Sequence, residues 1–191
     1  RFCRFNRQMS EKEFDVVVIV GGPAGYPAAI RAAQNGLSTA CIDDWQNHDG
    51  SGSCGGTCLN AGWTPSKALL ESSELYHRAA SEFKAHGIAI SDLAMDVAKM
   101  QSRKDGIVKQ LTSGIAALFK ANDVTGLQGH GRLLSGNRVE FTAAAGAKKT
   151  LSAKHVILAS GSVPIELPIA AFDGEHIVES GGALEFTEVP K

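Results

Sequence analysis

The sequence predicts an α/β domain that opens on a β-strand, α-helix, β-strand unit and carries long helices and a small antiparallel meander. Three observations predict it. The apolar run Phe14 to Val20 leads into the turn Gly21-Gly22-Pro23-Ala24-Gly25, which opens a helical pattern. Apolar residues at helical spacing (Val97, Met100, Ile107, Val108, Leu111, Ile115, Leu118, Phe119) occupy about Met95 to Ala121. From Val124 the period becomes strand-like, with Gly129-His130-Gly131, Ser135-Gly136-Asn137 and Ala145-Gly146 as turns.

Taken in order, Phe14 to Val20 reads as a buried parallel strand, because its valines and isoleucine run without polar interruption. A helix is expected from Pro23 to about Asn35, with Gly36 as its stop. If that helix begins near Pro23, Pro27 removes an internal bond and clashes with the preceding turn. Leu37 to Asp43 is the second strand, and 44–53 is a polar loop. A further helix is expected to be capped by Thr64, with Pro65 in its first position and Gly87 at its end. Gly106 and Gly114 weaken the long helix that follows, by about 1 kcal/mol each relative to alanine. His155 to Ser160 is one more strand, turned by Gly161-Ser162, and the tail to Lys191 is loop-rich.

Composition narrows the function classes. Formal net charge is −1, so no global field favours nucleic acid or an anionic membrane. No apolar run approaches the roughly 20 residues of a membrane span. Cys3, Cys41, Cys54 and Cys58 are too few and scattered for a secreted disulfide scaffold, which favours a cytoplasmic or organelle-matrix setting. Arg1, Arg4 and Arg7 lie in a stretch without acids, too short for a convincing transit peptide. Residues 1–9 are read as a leader or non-native extension, with Met9-Ser10 marking the start. No metal site is expected.

The first turn carries the chemistry of a dinucleotide site. Glycines there allow a tight strand-to-helix turn, close approach of a pyrophosphate and close helix–strand packing, while the helix N-terminus faces the phosphates. Gly22 and Gly25 hold the second and third glycine positions, and Val20 stands at the first. A β-branched residue there threatens the turn, with neighbouring Gly21 placed to absorb part of the strain. Asp43 ends the second strand, 21 residues after Gly22, where an acid accepts hydrogen bonds from adenosine ribose hydroxyls.

Gly55-Gly56-Thr57-Cys58-Leu59-Asn60-Ala61-Gly62-Trp63-Thr64-Pro65-Ser66-Lys67 nearly spells the redox segment G-G-T-C-L-N-V-G-C-x-P-S-K. With Glu13 to Ile19, Ala28 to Gln34, Gly129-His130-Gly131, Ile157 to Ser162, and Ala183 to Phe186 followed by Val189-Pro190-Lys191, it resembles the dihydrolipoamide dehydrogenases, flavin-dependent pyridine nucleotide-disulfide oxidoreductases. The likeness spans nearly all of residues 10–191. It implies a Rossmann-like FAD-binding domain over 10–191, cut before the family's NAD-binding and dimerisation domains. Gly22, Gly25 and Asp43 then serve pyrophosphate and ribose, and Gly21, Gly56 and Thr57 complete that cradle. Lys67 lies near the flavin ring, Gly131 offers backbone to the adenine end, and Ser160 and Gly161 form a second turn against the cofactor.

The implied reaction oxidises dihydrolipoyl groups with NAD through a redox disulfide and FAD. Its implied partners are the lipoyl domains of 2-oxoacid dehydrogenase or glycine-cleavage complexes and, for the full-length family, a second copy. The setting is the bacterial cytoplasm or, in a eukaryote, the mitochondrial matrix. Two thiols are needed, because a mixed disulfide must be resolved by a second thiolate. Cys58 matches the first, substrate-facing thiol. Trp63 occupies the flavin-facing position, and an indole forms no disulfide. Cys54 lies on the wrong side of Cys58 to replace it, and Cys54 and Cys41 read as ordinary buried or loop cysteines. The six histidines read as surface or structural, since the family's acid/base histidine lies in a domain outside this sequence. The isolated chain is therefore expected to be inactive. The alternatives are a non-catalytic nucleotide-binding module and a cofactor-free structural fragment.

Overall fold

The computed structural model describes residues 13–47 and 49–189. The leader expected over residues 1–9, His48 and the Pro190-Lys191 end of the expected junction lie outside them. The described chain forms two compact units, one from residues up to 57 with 112–162, the other from 58–111 with the residues from 163 on.

In the first unit, β1 (Glu13–Ile19), α1 (Gly25–Gln34) and β2 (Thr39–Asp43) make the expected parallel unit, with Val16 opposite Thr39 and Ile19 opposite Ile42. Helix α1 begins at Gly25, not Pro23. Pro27 therefore sits in the first turn, where a backbone N–H has no intrahelical partner, and the expected clash does not arise. Gly36, at φ 80°, follows the helix end as the sequence suggested.

The meander differs from its expectation. Strand β3 (Thr125–Leu133) runs straight through Gly129-His130-Gly131 instead of turning there. Its first half pairs parallel with β2 and its second half antiparallel with β4 (Arg138–Ala143). The strand expected at 155–160 is the latter part of a longer one, β5 (Lys148–Leu158), antiparallel to β4 over Lys148–Ser152 and parallel to β1 over Ser152–Leu158. The five strands thus close into a barrel in the order β1-β2-β3-β4-β5. Closure removes the free edges that an open sheet would have to protect. The expected turns at 135–137 and 145–146 are present, with Asn137 and Gly146 at positive φ.

Phe14, Val17, Ile19, Ala40, Ile42, Val139, Phe141 and Leu151 form one buried cluster from four strands. Val16 and Val18, also buried, alternate to the other face of β1, which explains the unbroken apolar run. At the end remote from the glycine turn, Asp15 accepts from the Ser38 amide (2.8 Å) and hydroxyl (2.9 Å) and pairs with Lys154 at 2.8 Å. These bonds, that to Lys154 foremost, hold the Asp15 carboxyl down at about 2.

In the second unit, α3 (Trp63–Ser81) starts at Trp63 with Gly62 as its N-cap, two residues before the expected Thr64 cap. Thr64 is buried inside the helix and Pro65 takes its third position, still within the first turn. The helix ends at Ser81, and a 3-10 turn, Phe83–His86, runs on to Gly87 at φ 77°. Two helices were not foreseen, the five-residue α2 (Gly56–Asn60) and the four-residue α5 (Ser180–Ala183).

Helix α4 (Val97–Ala121) matches the long pattern and belongs partly to each unit. A Cβ on Gly106 or Gly114 meets nothing within 4 Å. Each glycine-to-alanine change is therefore expected to stabilise the protein by about 0.5–1 kcal/mol, read as a higher urea midpoint at unchanged slope. A lower midpoint in both variants would contradict this.

Candidate functional site

The end of β1 delivers the turn. The Val20 amide donates to the Ile42 carbonyl at 2.8 Å, and the Gly22 carbonyl accepts from Gly25 (2.9 Å) and Tyr26 (3.0 Å) to start α1. Val20 lies at φ 76°, in the left-handed region that glycine occupies freely and a β-branched residue does not. The strain anticipated at that position is thus located in Val20's own backbone. The valine side chain packs against the barrel core, which offsets part of the cost. Gly25 has no room for anything larger, since a Cβ there would lie 1.9 Å from the Val20 carbonyl oxygen.

The loop before α2 closes on the turn. Gly55 donates to the Gly21 carbonyl at 3.0 Å, and a Cβ on Gly56 would reach the Gly22 Cα at 2.8 Å. The second turn lies beside the first: the Ala159 amide bonds the Ile19 carbonyl at 3.0 Å, and Gly161 follows at φ 68°. Thr57 and Ser160 are exposed. Gly131 owes its missing side chain to packing, because a Cβ would come within 3.1 Å of Ile42 Cδ1 and 3.2 Å of Ile19 Cγ2.

Asp43 is the most informative side chain. It is 4% exposed, and a Cβ on Gly21 would lie 2.7 Å from its Oδ2. Trp45 donates its amide to Oδ1 at 3.3 Å, but Oδ2 is buried with no hydrogen-bond partner. Burial first, and then the Asp44 charge, push the carboxyl up to about 6, against a pull from the Trp45, Asp44 and Gly21 amides. None of those amides bonds Oδ2. An orphaned buried acceptor beside a glycine turn fits a hydroxyl-bearing ligand, because leaving such an atom unmet costs about 1–3 kcal/mol. Burial also raises the thiols of Cys54, to about 12, and of Cys41, whose interior surroundings suit inert cysteines.

In the second unit, Cys58 is a half-buried free thiol in α2. Ala61 and Gly62 break the chain between α2 and α3. Trp63 opens α3 with its side chain outward, 62% exposed, and its carbonyl accepts from the Ser66 hydroxyl at 3.0 Å. Lys67 is exposed one turn later. The structure therefore gathers Gly21, Gly22, Gly25, Asp43, Gly56, Ser160 and Gly161 in one unit, while Cys58 and Lys67 belong to the other. Sequence reasoning missed the Trp45 amide on Asp43, which an Asp followed by a turn could have suggested. It also missed the buried Lys104, for which no local signal exists.

The family model for pyridine nucleotide-disulphide oxidoreductases matches residues 14–191. The chain belongs to that family. Among its relatives, mitochondrial dihydrolipoyl dehydrogenase 1 of Arabidopsis thaliana is 48% identical over 94% of this chain and 34% of its own length. Leghemoglobin reductase of Vigna unguiculata is 47% identical over 94% of the chain and 33% of its own length. Dihydrolipoyl dehydrogenase 3 of Pseudomonas putida is 45% identical over 94% and 37%. The crystal structure of LpdA from Mycobacterium tuberculosis superposes with a TM-score of 0.78 at 26% identity, covering 92% of this chain and 38% of that one. The chain thus spans about a third of the length of the curated relatives it matches. That superposed structure shares the α/β architecture described above, and no described helix is long and apolar enough to cross a membrane.

Proposed function

We propose that this chain is the FAD-binding portion of a dihydrolipoamide dehydrogenase, with the domain extending over 10–191. The observation that carries the reading is Asp43 Oδ2, buried without a partner beside the Gly21-Gly22 turn. Asp43 would accept from the adenosine ribose, and Gly21, Gly22, Gly25 and the α1 N-terminus would face the pyrophosphate. Gly56 and Thr57 would continue that cradle, with Ser160 and Gly161 against the cofactor. Gly131 would offer backbone to the adenine end and Lys67 would lie near the flavin ring. In the whole enzyme, FAD held by these residues would supply two-electron redox chemistry between a thiol pair and NAD.

Cys58 is the substrate-facing thiol in this reading. Trp63 supplies no second thiol, so a mixed disulfide formed on Cys58 has no neighbour at that position to resolve it. FAD binding without lipoamide turnover is the expected behaviour of this chain. The parent enzyme would act on lipoyl domains of 2-oxoacid dehydrogenase or glycine-cleavage complexes, as a homodimer, in a bacterial cytoplasm or a mitochondrial matrix. The second reading, a nucleotide-binding module without catalysis, is favoured by Trp63 alone.

The test is a visible spectrum of the purified chain after incubation with FAD and desalting, with circular dichroism to establish folding. About one retained flavin per chain is expected. A folded but colourless protein would sink the reading, and lipoamide turnover by the unmodified chain would overturn the role given to Trp63.

A further inference from the structure

The deepest charge in the second unit is a lysine with no part in the reading above. Lys104, in the first third of α4, is 2% exposed at its side chain. Its ammonium donates to the Leu184 carbonyl at 3.2 Å and the Glu185 carboxylate at 2.7 Å, and lies 3.2 Å from Asp105. One turn earlier, Gln101 Nε2 donates to the carbonyls of Leu184 (3.1 Å) and Phe186 (2.8 Å). Two side chains of one helix thus hold three consecutive residues of the late chain. A buried ammonium persists only where its hydrogen bonds are met, and here all three acceptors lie within reach.

The held segment continues backwards into α5. Glu179 caps that helix, its carboxylate accepting from the Gly181 amide at 2.6 Å and the Gly182 amide at 2.8 Å. Gly181 is buried, and a Cβ there would lie 2.6 Å from Glu179 Oε1 and 3.3 Å from the Ala61 Cβ. Gly181 therefore lies against Ala61, with no room for a side chain between them, in the break between Cys58 and Trp63. Every residue in this chain of contacts belongs to the same unit.

We infer that Lys104 is a positioning residue for Cys58: by fastening residues 184–186 to α4, it keeps Gly181 seated on Ala61 and so fixes the stretch that carries the thiol. The inference deepens the proposed role of Cys58 and rests on that reading for its importance. The five residues of α2 are too few to hold themselves as a helix, so their order comes from tertiary support. Losing the strap therefore frees the thiol before it disturbs anything else.

The experiment is site-resolved alkylation of the full chain with iodoacetamide, read by mass spectrometry, for wild type, Lys104→Met and Gly181→Ala. Gly181→Ala crowds both the Glu179 carboxylate that caps α5 and the Ala61 side chain while leaving Lys104 intact, so it serves if Lys104→Met does not fold. Cys58 is expected to react about 5-fold faster or more in both variants. The buried thiol of Cys41 reports global opening and should keep its wild-type rate. In a Trp45→Phe background, the fluorescence anisotropy of Trp63 should fall as its stretch loosens. An unchanged Cys58 rate in both variants overturns the inference, and so does a parallel rise at Cys41, which marks simple destabilisation. Alkylation needs neither FAD nor a disulfide substrate. A colourless chain would therefore remove the flavin reading and leave this result intact.

Discussion

Replacing Asp43 by asparagine is expected to weaken FAD binding by on the order of 10- to 100-fold while making the cofactor-free chain more stable at pH 8. Both effects have one origin. The buried Oδ2 has no partner, so its charge is costly until a ligand hydroxyl meets it. The asparagine amide nitrogen would stand where an acceptor is wanted. For stability, the sign follows from the raised carboxyl. Its folded value is about 6 against 3.8 unfolded, so the native state binds the proton more tightly. Below 3.8 both states are protonated and no penalty exists. As pH rises from 3.8 through 6 the unfolded state ionises first, and wild type loses up to about 3 kcal/mol. The variant escapes that loss. Its advantage should be largest above pH 6 and vanish near pH 4, as followed by urea unfolding across pH. Wild-type affinity for FAD should itself decline below about pH 6 as Asp43 takes up a proton. Equal affinity in the two proteins would remove Asp43 from the site.

A second large effect is expected from Gly25→Ala, with a cost of about 3 kcal/mol or more and a chain that struggles to fold. The added carbon would lie 1.9 Å from the Val20 carbonyl oxygen and 3.4 Å from the Ala159 Cβ. The obstacle is backbone, not the end of a flexible side chain, and it belongs to a residue already held at φ 76°. The same one-carbon addition at Gly106 or Gly114, where space is open, should stabilise. Sign is therefore decided by surroundings and not by residue type. A urea midpoint for Gly25→Ala equal to that of wild type would refute the packing argument.

Much of this was legible in the chain itself. The glycine turn, Asp43 at the end of β2 and the long helical period each have a local cause, and each appeared within two or three residues of its expected place. Val20 was legible as a misfit because a β-branched residue at a glycine position conflicts with local geometry. What escaped notice depends on distant partners. Thr64 has the chemistry of a cap, but Gly62 takes the role because the preceding break sets where the helix begins. Gly129-His130-Gly131 reads as a turn from composition, yet pairing with β4, taken up where the β2 ladder ends at Gln128, holds it extended. Lys104 looks like any surface lysine of a helix, since its acceptors lie about 80 residues away. The loss of Oδ2 partners on Asp43 is likewise a property of the assembled barrel and not of the segment around it.

Barrel closure constrains the order in which the chain can be built. Strand β1 is the first of the five strands to be synthesised, yet its β5 partner, Ser152 to Leu158, emerges roughly 140 residues later. At ~5–20 residues per second of synthesis, β1 waits on the order of ten seconds with one apolar edge unsatisfied. Residues 58–111 of the second unit are made in that interval, between the two halves of the first. The nascent chain therefore passes through a stage in which Phe14 to Ile19 is exposed to any competing strand. Chaperone demand should be greatest then, and should fall sharply once residue 158 has cleared the ribosome.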